Sequence, residues 1–246
     1  MAGQGSRFTK AGISTPKPLI EVDGITLAEH SIKTLGIDGK FIFITRSFDD
    51  PKDNERLTDI FVKTCKSFIE VRVDGEHLGA AHSAMYAEHY VDPNEPLIVT
   101  NCDQHLNWDG KAFENFISSN ERYVKFTNRE EEIIDGAIVL YESDNPKNSF
   151  AILDGINVVA VAEKQPISNK ALVGVHYWRE ARDFFDSARE LLRDYKIAGY
   201  PECYVSVTYN YLIKKNKFIA AYFIEDAGFI PLGTPEDVEE YEQGIG

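Results

Sequence analysis

Residues 96–105 read PLIVTNCDQH, an apolar run that ends in a polar cluster around Asp103. A similar run, FIFIT, occupies residues 41–45. Segments with apolar residues at helical spacing lie between such runs, at 54–68 and at 79–90. Continuous apolar strands between helices are typical of a parallel sheet that is covered on both faces. The stretch therefore predicts an α/β protein.

The second half of the chain follows a different pattern, which adds antiparallel strands to this sheet. Strands are predicted at 133–140, 150–153, 156–162, 171–178 and 218–223, and helices near 180–195 and 203–214. A last helix is predicted to begin after Thr234, with Pro235 in its first turn. We expect a single domain over residues 1–246, with a mixed, mostly parallel sheet flanked by helices. The added antiparallel strands are predicted after about residue 130, so residues 131–246 differ in pattern from residues 1–130.

Composition and charge narrow the classes of partner. The chain has 246 residues, 43% of them hydrophobic and 27% charged, as in ordinary globular proteins. The formal net charge of −14 argues against a nucleic acid partner, because a polyanion would be repelled. No apolar run approaches the roughly 18 residues of a membrane span, and no secretory signal is visible. Three widely spaced cysteines without a CxxC motif are typical of reduced thiols in a cytoplasmic protein.

The first twenty residues are locally basic and rich in glycine. They contain Arg7, Lys10 and Lys17 and no acidic residue, and they begin MAGQGSRF. Glycines allow close backbone approach to phosphate oxygens, and Arg and Lys are the cations that bind phosphate. The segment lacks the spacing of a Walker P-loop. From the residues alone, it is either a flexible terminus or a polyphosphate-binding loop.

Two further polar clusters follow predicted strands, where ligands of open parallel sheets bind. Asp103 is a plausible Mg²⁺ ligand, because Mg²⁺ takes one or two carboxylates together with substrate phosphates. Its other interpretation is a cap of the following loop. Glu163 and Lys164 follow the strand at 156–162 and form either a surface ion pair or an acceptor and a cation in a cleft. The six histidines form neither a zinc motif nor a nucleophile set, which disfavours hydrolase functions.

Four segments together resemble the sugar-nucleotidyltransferases, also called nucleotide-sugar pyrophosphorylases. MAGxGSRF followed by PKPLIEVDG is similar to their N-terminal signature, and LIVTNCDQHLNWD to the strand that carries their metal-binding Asp. VVAVAEKQPISNKALVGVHYW resembles their EKP segment, and GTPEDVEEY resembles the closing motif of one branch. The segments occur in the family's order and span residues 1–241.

The resemblance implies a Rossmann-like, glycosyltransferase-A-type fold and Mg²⁺-dependent transfer of a nucleotidyl group from an NTP to a small phosphorylated acceptor. It implies a nucleotide-binding half at 1–130 and an acceptor-binding half at 131–246. The nucleotide-binding positions are Ala2, Gly3, Gly5, Ser6, Arg7, Lys17, Gly79 and Ala80. The acceptor-binding positions are Gly136, Glu163, Lys164 and Gly174. Arg7, Lys17 and Asp103 are the implied catalytic residues, and Asp103 is the implied metal ligand.

The sequence departs from the family pattern at two places. The family has a short apolar strand before MAG, so we expect residues upstream of Met1 or a shortened strand. Many members also have a second metal-binding Asp before the final Gly-Thr, where this chain reads Phe229–Thr234 without an acid. Asp226 and Asp237 are the candidate substitutes, and neither is assigned.

Several alternatives stay open at this point. The most direct hypothesis is a nucleotide-sugar pyrophosphorylase acting on a sugar 1-phosphate. A cytidylyltransferase acting on phosphocholine is an alternative, as is an inert nucleotide-binding homologue. A glycosyltransferase is a weaker alternative, because it does not need to bind a triphosphate. The sequence leaves the base, the acceptor and homo-oligomer formation undetermined.

Overall fold

The computed structural model describes residues 1–3, 5–75, 77–119, 123–125 and 130–244. The described helices are α1 (Ser6–Lys10), α2 (Leu27–Leu35), α3 (Pro51–Thr64), α4 (Ala80–Met85), α5 (Gly110–Ser118), α6 (Ala181–Asp194), α7 (Tyr209–Lys214) and α8 (Pro235–Glu242). The described strands are β1 (Glu21–Val22), β2 (Ile25–Thr26), β3 (Phe41–Thr45), β4 (Phe68–Arg72), β5 (Leu97–Thr100), β6 (Gln104–Leu106), β7 (Tyr123–Lys125), β8 (Glu130–Glu132), β9 (Gly136–Glu142), β10 (Ser149–Asp154), β11 (Asn157–Glu163), β12 (Lys170–Trp178), β13 (Ile219–Phe223) and β14 (Phe229–Pro231). Among the described helices, none combines the length and apolar character that crossing a membrane requires.

The chain divides into two compact units, each assembled from segments that are distant in sequence. Unit 1 contains Met1–Glu76, Asn101–Lys111 and Ala227–Gly246, and unit 2 contains His77–Thr100 and Ala112–Asp226. Each unit combines residues from both predicted halves of the chain. The boundary near residue 130 stays a prediction.

Unit 1 contains the parallel pair β3–β4, packed against α2 and α3. Phe43 of β3 stacks on Phe61 of α3 with ring centroids 3.8 Å apart. Leu19, Ala28, Ile32, Leu57 and Ile60 complete this core. Helix α3 begins at Pro51, because Asp50 accepts a hydrogen bond from the Lys52 N–H at 2.9 Å. It was predicted to run to Phe68, but it ends at Thr64 and the chain turns extended at Cys65.

Unit 2 contains a six-stranded sheet in the order β10–β11–β13–β9–β12–β5. Residues 171–178 of β12 are buried along their whole length, and β12 pairs with both β9 and β5. Trp178 at its end stacks on Tyr209 with ring centroids 4.7 Å apart. The Tyr209 hydroxyl is within hydrogen-bond distance, 3.0 Å, of both the Ala137 and Tyr177 carbonyl oxygens. These contacts fix α7 against the centre of the sheet.

The prediction of a mostly parallel sheet was wrong for unit 2. In its six-stranded sheet only β9 and β13 run parallel, and the other neighbouring strands pair antiparallel. The strands at 171–178 and 218–223 were predicted close to their observed bounds. A continuous apolar run indicates burial on both faces of a strand, which is typical of parallel sheets but also holds for the antiparallel strand β12. The α/β class itself is confirmed.

Candidate active site

The N-terminal segment contains a short helix, where the sequence had predicted only a loop. Helix α1 follows Gly5, and its Phe8 side chain is 1% exposed in a cluster with Ile20, Leu27 and Leu232. Ala2 is also buried. The segment is therefore anchored by apolar side chains at two points, whereas Gly3 is exposed.

Gly5 brings this segment onto Lys17. Its backbone is left-handed (φ 62°), and a Cβ at Gly5 would lie 3.1 Å from the Lys17 Cβ. A side chain here would therefore meet both strain and close contact. Ser6 and Arg7 follow and are exposed. Arg7 forms no hydrogen bond or ion pair with the part of the chain that the structure describes, so its guanidinium is available to a ligand.

Lys17 and Asp103 form an ion pair at the centre of the unit 1 site. The Lys17 Nζ lies 2.5 Å from the Asp103 Oδ2 and also donates to the Gly233 carbonyl at 3.3 Å. The two charged side chains are 21% and 29% exposed, so solvent and ligands reach them. A Cβ at Gly233 would lie 3.1 Å from the Asp103 Oδ2, and the Leu232 N–H donates to the Asp103 carbonyl at 2.9 Å. The PKP, NCDQ and GTPED segments therefore meet at one point.

The carboxylates near this point fit a Mg²⁺ ion in donor type. The described residues contain no group of three or more His, Cys, Asp or Glu side chains arranged for a metal. Mg²⁺ needs only one or two carboxylates when phosphates supply the other oxygens. The Asp103 Oδ2 and the Asp237 Oδ2 lie 3.1 and 3.6 Å from the same Cβ position at Gly233. Asp103 is thus the first candidate ligand, with Asp237 beside it.

The two candidates for a second acidic ligand have different environments. Asp237 forms a capping box at the start of α8, where its Oδ2 accepts from the Thr234 N–H at 2.8 Å. Asp226 belongs to unit 2, where its Oδ1 accepts from the Glu142 N–H at 3.0 Å. Only Asp237 therefore lies in the same unit as Asp103.

A pair of histidines supports the strand that follows Asp103. The His30 Nε2 lies 2.9 Å from the Val22 carbonyl, so it carries the proton and leaves the Nδ1 as an acceptor. The His105 Nδ1 lies 3.1 Å from that atom, and both rings contact Tyr241. Burial lowers the pKa of His30, which keeps it neutral. This pair fixes β6 to α2 and α8 within unit 1.

Two of the predicted nucleotide-binding residues, Gly79 and Ala80, lie in unit 2, at the start of α4. The Cys203 N–H donates to the Leu78 carbonyl at 2.6 Å, and the Ala81 N–H donates to the Cys203 carbonyl at 2.9 Å. A Cβ at Gly79 would lie 2.6 Å from the backbone N and O of Cys203. Gly79 is therefore needed for close packing against the Cys203 backbone, in addition to its predicted role in nucleotide binding.

Glu163 ends β11 and is held by two hydroxyls. Its Oε2 accepts hydrogen bonds from Ser149 at 2.5 Å and from Ser206 at 2.8 Å. Its neighbour Lys164 does not pair with it. The Lys164 Nζ instead lies 2.7 Å from the Tyr204 hydroxyl, and burial raises the pKa of that tyrosine. Neither side chain forms the surface ion pair that the sequence allowed.

Lys164 has a strained backbone and an exposed side chain. Its φ of 54° lies in the left-handed region that favours glycine, and it is one of three described non-glycine residues with positive φ. Such conformations cost about 1–3 kcal/mol and cluster at ligand sites. The ammonium group is exposed, so a phosphate can reach it.

The remaining predicted positions are glycines in the sheet of unit 2. A Cβ at Gly136 would lie 3.0 Å from the Tyr177 carbonyl and 3.2 Å from the Tyr209 ring. Gly174 (φ 88°) lies where the register of β12 shifts against β9. Both positions require glycine for local reasons, and neither is joined by a described contact to Glu163 or Lys164.

Sequence reasoning missed two polar groups beside the predicted residues. Arg46 follows β3 as Asp103 follows β5, so the rule that ligands bind beyond strand ends would have selected it. Tyr204 was not identifiable, because it reaches Lys164 across 40 positions of the sequence.

Comparisons with known proteins agree with this fold. No family model matches the chain. The nucleoside-diphosphate-sugar pyrophosphorylase from Vibrio cholerae RC9 is 26% identical, with a TM-score of 0.79 over 99% of this chain and 98% of that one. A UDP-glucose pyrophosphorylase complexed with UDP-glucose is 18% identical, with a TM-score of 0.71 over 99% and 95% of the two chains.

A curated relative covers only part of the chain. The bifunctional protein GlmU of Methanococcus vannielii is 26% identical over 153 residues, which is 62% of this chain. The chain spans 30% of the length of that relative.

The fold and these likenesses define a nucleotidyltransferase fold. The resemblance stated from the sequence is confirmed at the level of this fold.

Proposed function

We propose that the chain is a Mg²⁺-dependent, cytoplasmic nucleotidyltransferase that joins an NTP to a sugar 1-phosphate and releases pyrophosphate. The observation that carries this proposal is the meeting of Lys17, Asp103 and Gly233. Asp103 and Gly233 lie 86 and 216 positions from Lys17 in the sequence. Each of the three residues belongs to a motif of the family. The likeness to the pyrophosphorylase from Vibrio cholerae supports the reaction class.

The proposed chemistry needs no protein nucleophile. A phosphate oxygen of the acceptor attacks the α-phosphorus of the NTP and forms a new P–O bond. The bond between the α-phosphorus and the bridging oxygen to the β-phosphate breaks, and pyrophosphate leaves with that electron pair. Positioning and charge neutralisation then account for most of the rate acceleration.

Unit 1 carries the groups proposed to bind the triphosphate. Gly3, Gly5 and Ser6 offer backbone and hydroxyl donors, and the uncommitted Arg7 guanidinium offers a bidentate grip on phosphate. The Lys17 ammonium group can exchange its contact with Asp103 for a contact with a phosphate oxygen. Asp103, with Asp237 beside it, would hold Mg²⁺. The ion would neutralise charge on the phosphates.

Unit 2 carries the groups proposed to bind the acceptor. The exposed Lys164 ammonium is the cation for the acceptor phosphate, and Tyr204 orients it by accepting its hydrogen bond. Glu163 is positioned by two serine hydroxyls to accept hydrogen bonds from acceptor hydroxyls. Gly79 and Ala80 remain the proposed contacts of the base, with Gly136 and Gly174 as the glycines that shape the acceptor side.

Pyrophosphate release tests the proposal directly. The purified protein is incubated with Mg²⁺ and each of CTP, UTP, ATP, GTP and dTTP, against a panel of sugar 1-phosphates and phosphocholine. We expect release with one base and one acceptor class, and only when both are present. Release with CTP and phosphocholine, and with none of the sugar 1-phosphates, would favour the cytidylyltransferase alternative. Tight NTP binding by calorimetry without release from any combination would favour an inert homologue and contradict the proposal.

A further inference from the structure

The turn at residues 143–148 contacts the backbone of Lys164, although the proposed reaction gives this turn no role. The Lys164 N–H donates to the Asn148 carbonyl at 3.0 Å. This bond lies one position beyond the antiparallel pairing of β10 with β11, whose terminal pair is Ser149 with Glu163. Asn148 therefore extends the ladder by one bond, at the residue where the chain leaves β11 with a left-handed backbone.

Three hydrogen bonds hold Asn148 in place. Its Nδ2 donates to the Tyr141 hydroxyl at 2.8 Å and to the Ser143 hydroxyl at 3.1 Å. Its N–H donates to the Asn145 carbonyl at 3.0 Å, which closes a turn with Pro146 at its second position. Tyr141 belongs to β9, which pairs with both β12 and β13. A central strand of the sheet of unit 2 thus supports the turn.

The left-handed backbone of Lys164 decides where its ammonium group lies. Successive side chains of an extended strand point to opposite faces, so an extended Lys164 would point away from the face of Glu163. Instead, the Lys164 Nζ lies 2.7 Å from the Tyr204 hydroxyl, and Ser206 of the same segment donates to Glu163 at 2.8 Å. The positive φ brings both side chains to residues 204–206, and it costs backbone strain that a neighbouring contact has to offset.

We propose that Asn148 is a positioning residue for acceptor binding. Its side chain anchors the turn, and its carbonyl holds the Lys164 N–H. The left-handed backbone then directs the Lys164 ammonium group to the side on which Glu163 lies. Asn148 itself contacts no substrate in this role. The inference rests on the proposed function, because that function assigns Lys164 to the acceptor phosphate.

Steady-state kinetics of pyrophosphate release test this role in the full chain, with the NTP and acceptor that react. Asn148→Ala removes both side-chain anchors of the turn, and Tyr141→Phe removes one of them and keeps the ring. We expect Asn148→Ala to raise the KM for the acceptor about threefold to tenfold, as loss of neutral hydrogen bonds does. Tyr141→Phe should raise it less. The KM for the NTP should stay unchanged in both variants.

Asn169→Ala is the matched control. Asn169 is exposed, and its side chain forms no hydrogen bond in the part of the chain that the structure describes. Its backbone carbonyl accepts from the Ser143 N–H at 3.1 Å, so it lies beside the same turn. Both KM values should equal those of the wild type.

A double-mutant cycle distinguishes positioning through Lys164 from a general structural role. Lys164→Met removes the ammonium group and keeps the rest of the side chain. In that background Asn148→Ala should raise the acceptor KM no further, since both changes act through one group. An equal rise in both backgrounds would overturn the inference. An unchanged acceptor KM in Tyr141→Phe and Asn148→Ala would also overturn it, with a thermal melt of each variant to verify folding.

Labelling with acetic anhydride needs no substrate, so it separates this inference from the proposed function. The Lys164 Nζ is held by the Tyr204 hydroxyl and lies 4.6 Å from the centroid of that ring. We expect its acetylation rate, measured by mass spectrometry against exposed Lys63, to rise about threefold in Asn148→Ala and to stay unchanged in Asn169→Ala. A raised rate in a protein that reacts with no NTP and acceptor contradicts the proposed function and leaves the positioning role. Turnover with unchanged labelling and unchanged acceptor KM contradicts the positioning role alone.

Discussion

The ion pair between Lys17 and Asp103 joins opposite charges at a point that solvent reaches. Pairs of this exposure contribute about 0–1 kcal/mol to folding, so this pair adds little to the stability of the fold. In the proposed reaction, a triphosphate would supply anions to Lys17, and a divalent cation would supply a positive partner to Asp103. Ligand binding would thus replace the contact between Lys17 and Asp103 by one between Lys17 and phosphate and one between Asp103 and the metal ion.

Neutralising either member of this pair should reduce turnover much more than stability. We expect Asp103→Asn and Lys17→Met each to lower kcat by about 100-fold or more, as removal of one charge-stabilising group does. The midpoint of thermal unfolding should change by about 2–4 °C at most, because a loss near 1 kcal/mol has that effect at this chain length. Pyrophosphate release and a thermal melt measure the two quantities.

Lys33→Met is the matched control for this prediction. Lys33 forms an exposed ion pair with Glu29 on α2, so its loss removes a similar pair within the same unit. It should leave kcat unchanged. Near-normal turnover in either Asp103→Asn or Lys17→Met would contradict the assigned roles.

Lys164 offers a second test at the residue scale. Its replacement by glycine should relieve backbone strain, which affects stability, and should remove the ammonium group, which affects binding of the acceptor. Glycine adopts a φ of 54° without strain, so Lys164→Gly should keep or raise the unfolding midpoint. The same change removes the ammonium proposed to bind the acceptor. We expect the KM for the acceptor to rise about tenfold or more, with the KM for the NTP little changed.

Asn216→Gly relieves the same backbone geometry (φ 59°) elsewhere in unit 2. It should affect stability only, and both KM values should match those of the wild type. A Lys164→Gly protein that is less stable and keeps its acceptor KM would show that Lys164 has a structural role alone.

At the scale of elements, local signals in the sequence accounted for most of the fold. Thr234 and Pro235 predicted the start of α8, and the structure forms a capping box there. An equivalent box, Thr26 with Glu29, begins α2, a helix that was not predicted from the sequence. The signal was present, although residues 21–26 directly before the helix form the short β1–β2 hairpin.

Pairing between distant elements was the part that the sequence could not provide. The short strands β6 and β14 form one antiparallel pair although more than a hundred positions separate them. Each has three residues, too few to show alternation. The site has the same limit: its motifs were recognisable, whereas the Lys17 contact with Gly233 and the Lys164 contact with Tyr204 depend on tertiary structure.

The start of α4 is held by a backbone interlock with Cys203 that should not tolerate a side chain at Gly79. An added Cβ would lie 2.6 Å from both the N and O of Cys203, and Gly79 has a φ of 118°. We expect Gly79→Ala to lower the free energy of unfolding by about 2–3 kcal/mol from clash and strain together. Urea unfolding at constant pH measures it.

Gly199→Ala separates these two contributions. Gly199 also has positive φ (83°), but no atom lies within 4 Å of its Cβ position. Its substitution should cost only the backbone strain, about 1 kcal/mol. Equal losses at Gly79 and Gly199 would contradict the steric role of the interlock.

At the scale of the whole molecule, the acidic surface means that an anion can bind only where cations are concentrated locally. The net charge of −14 repels polyanions in general. Arg7, Lys10, Lys17 and Arg46 all lie in unit 1, on segments that end near the N-terminal helix or the end of β3. This concentration of cations is the electrostatic basis of the proposed binding of a triphosphate by an acidic protein.

Acid should destabilise unit 2 through His176, a buried residue of β12. Burial lowers the pKa of His176 to about 3, and its Nδ1 has no hydrogen-bond partner among the described atoms. The unfolded state takes up a proton near pH 6.5, whereas the folded state stays neutral, so stability falls as the pH falls below 6.5. Between pH 7.5 and 5.5 this linkage removes about 1.4 kcal/mol of unfolding free energy.

Urea unfolding of wild type and His176→Gln at these two pH values measures the linkage. The variant is expected to be less stable at both, because a buried side chain has changed, so the informative quantity is the difference between the pH values. That difference should shrink by about 1.4 kcal/mol in His176→Gln. The exposed His89→Gln provides the control, and it should keep the wild-type difference. An unchanged difference in His176→Gln would mean that His176 takes up a proton in the folded state, against its burial between the sheet and Tyr209.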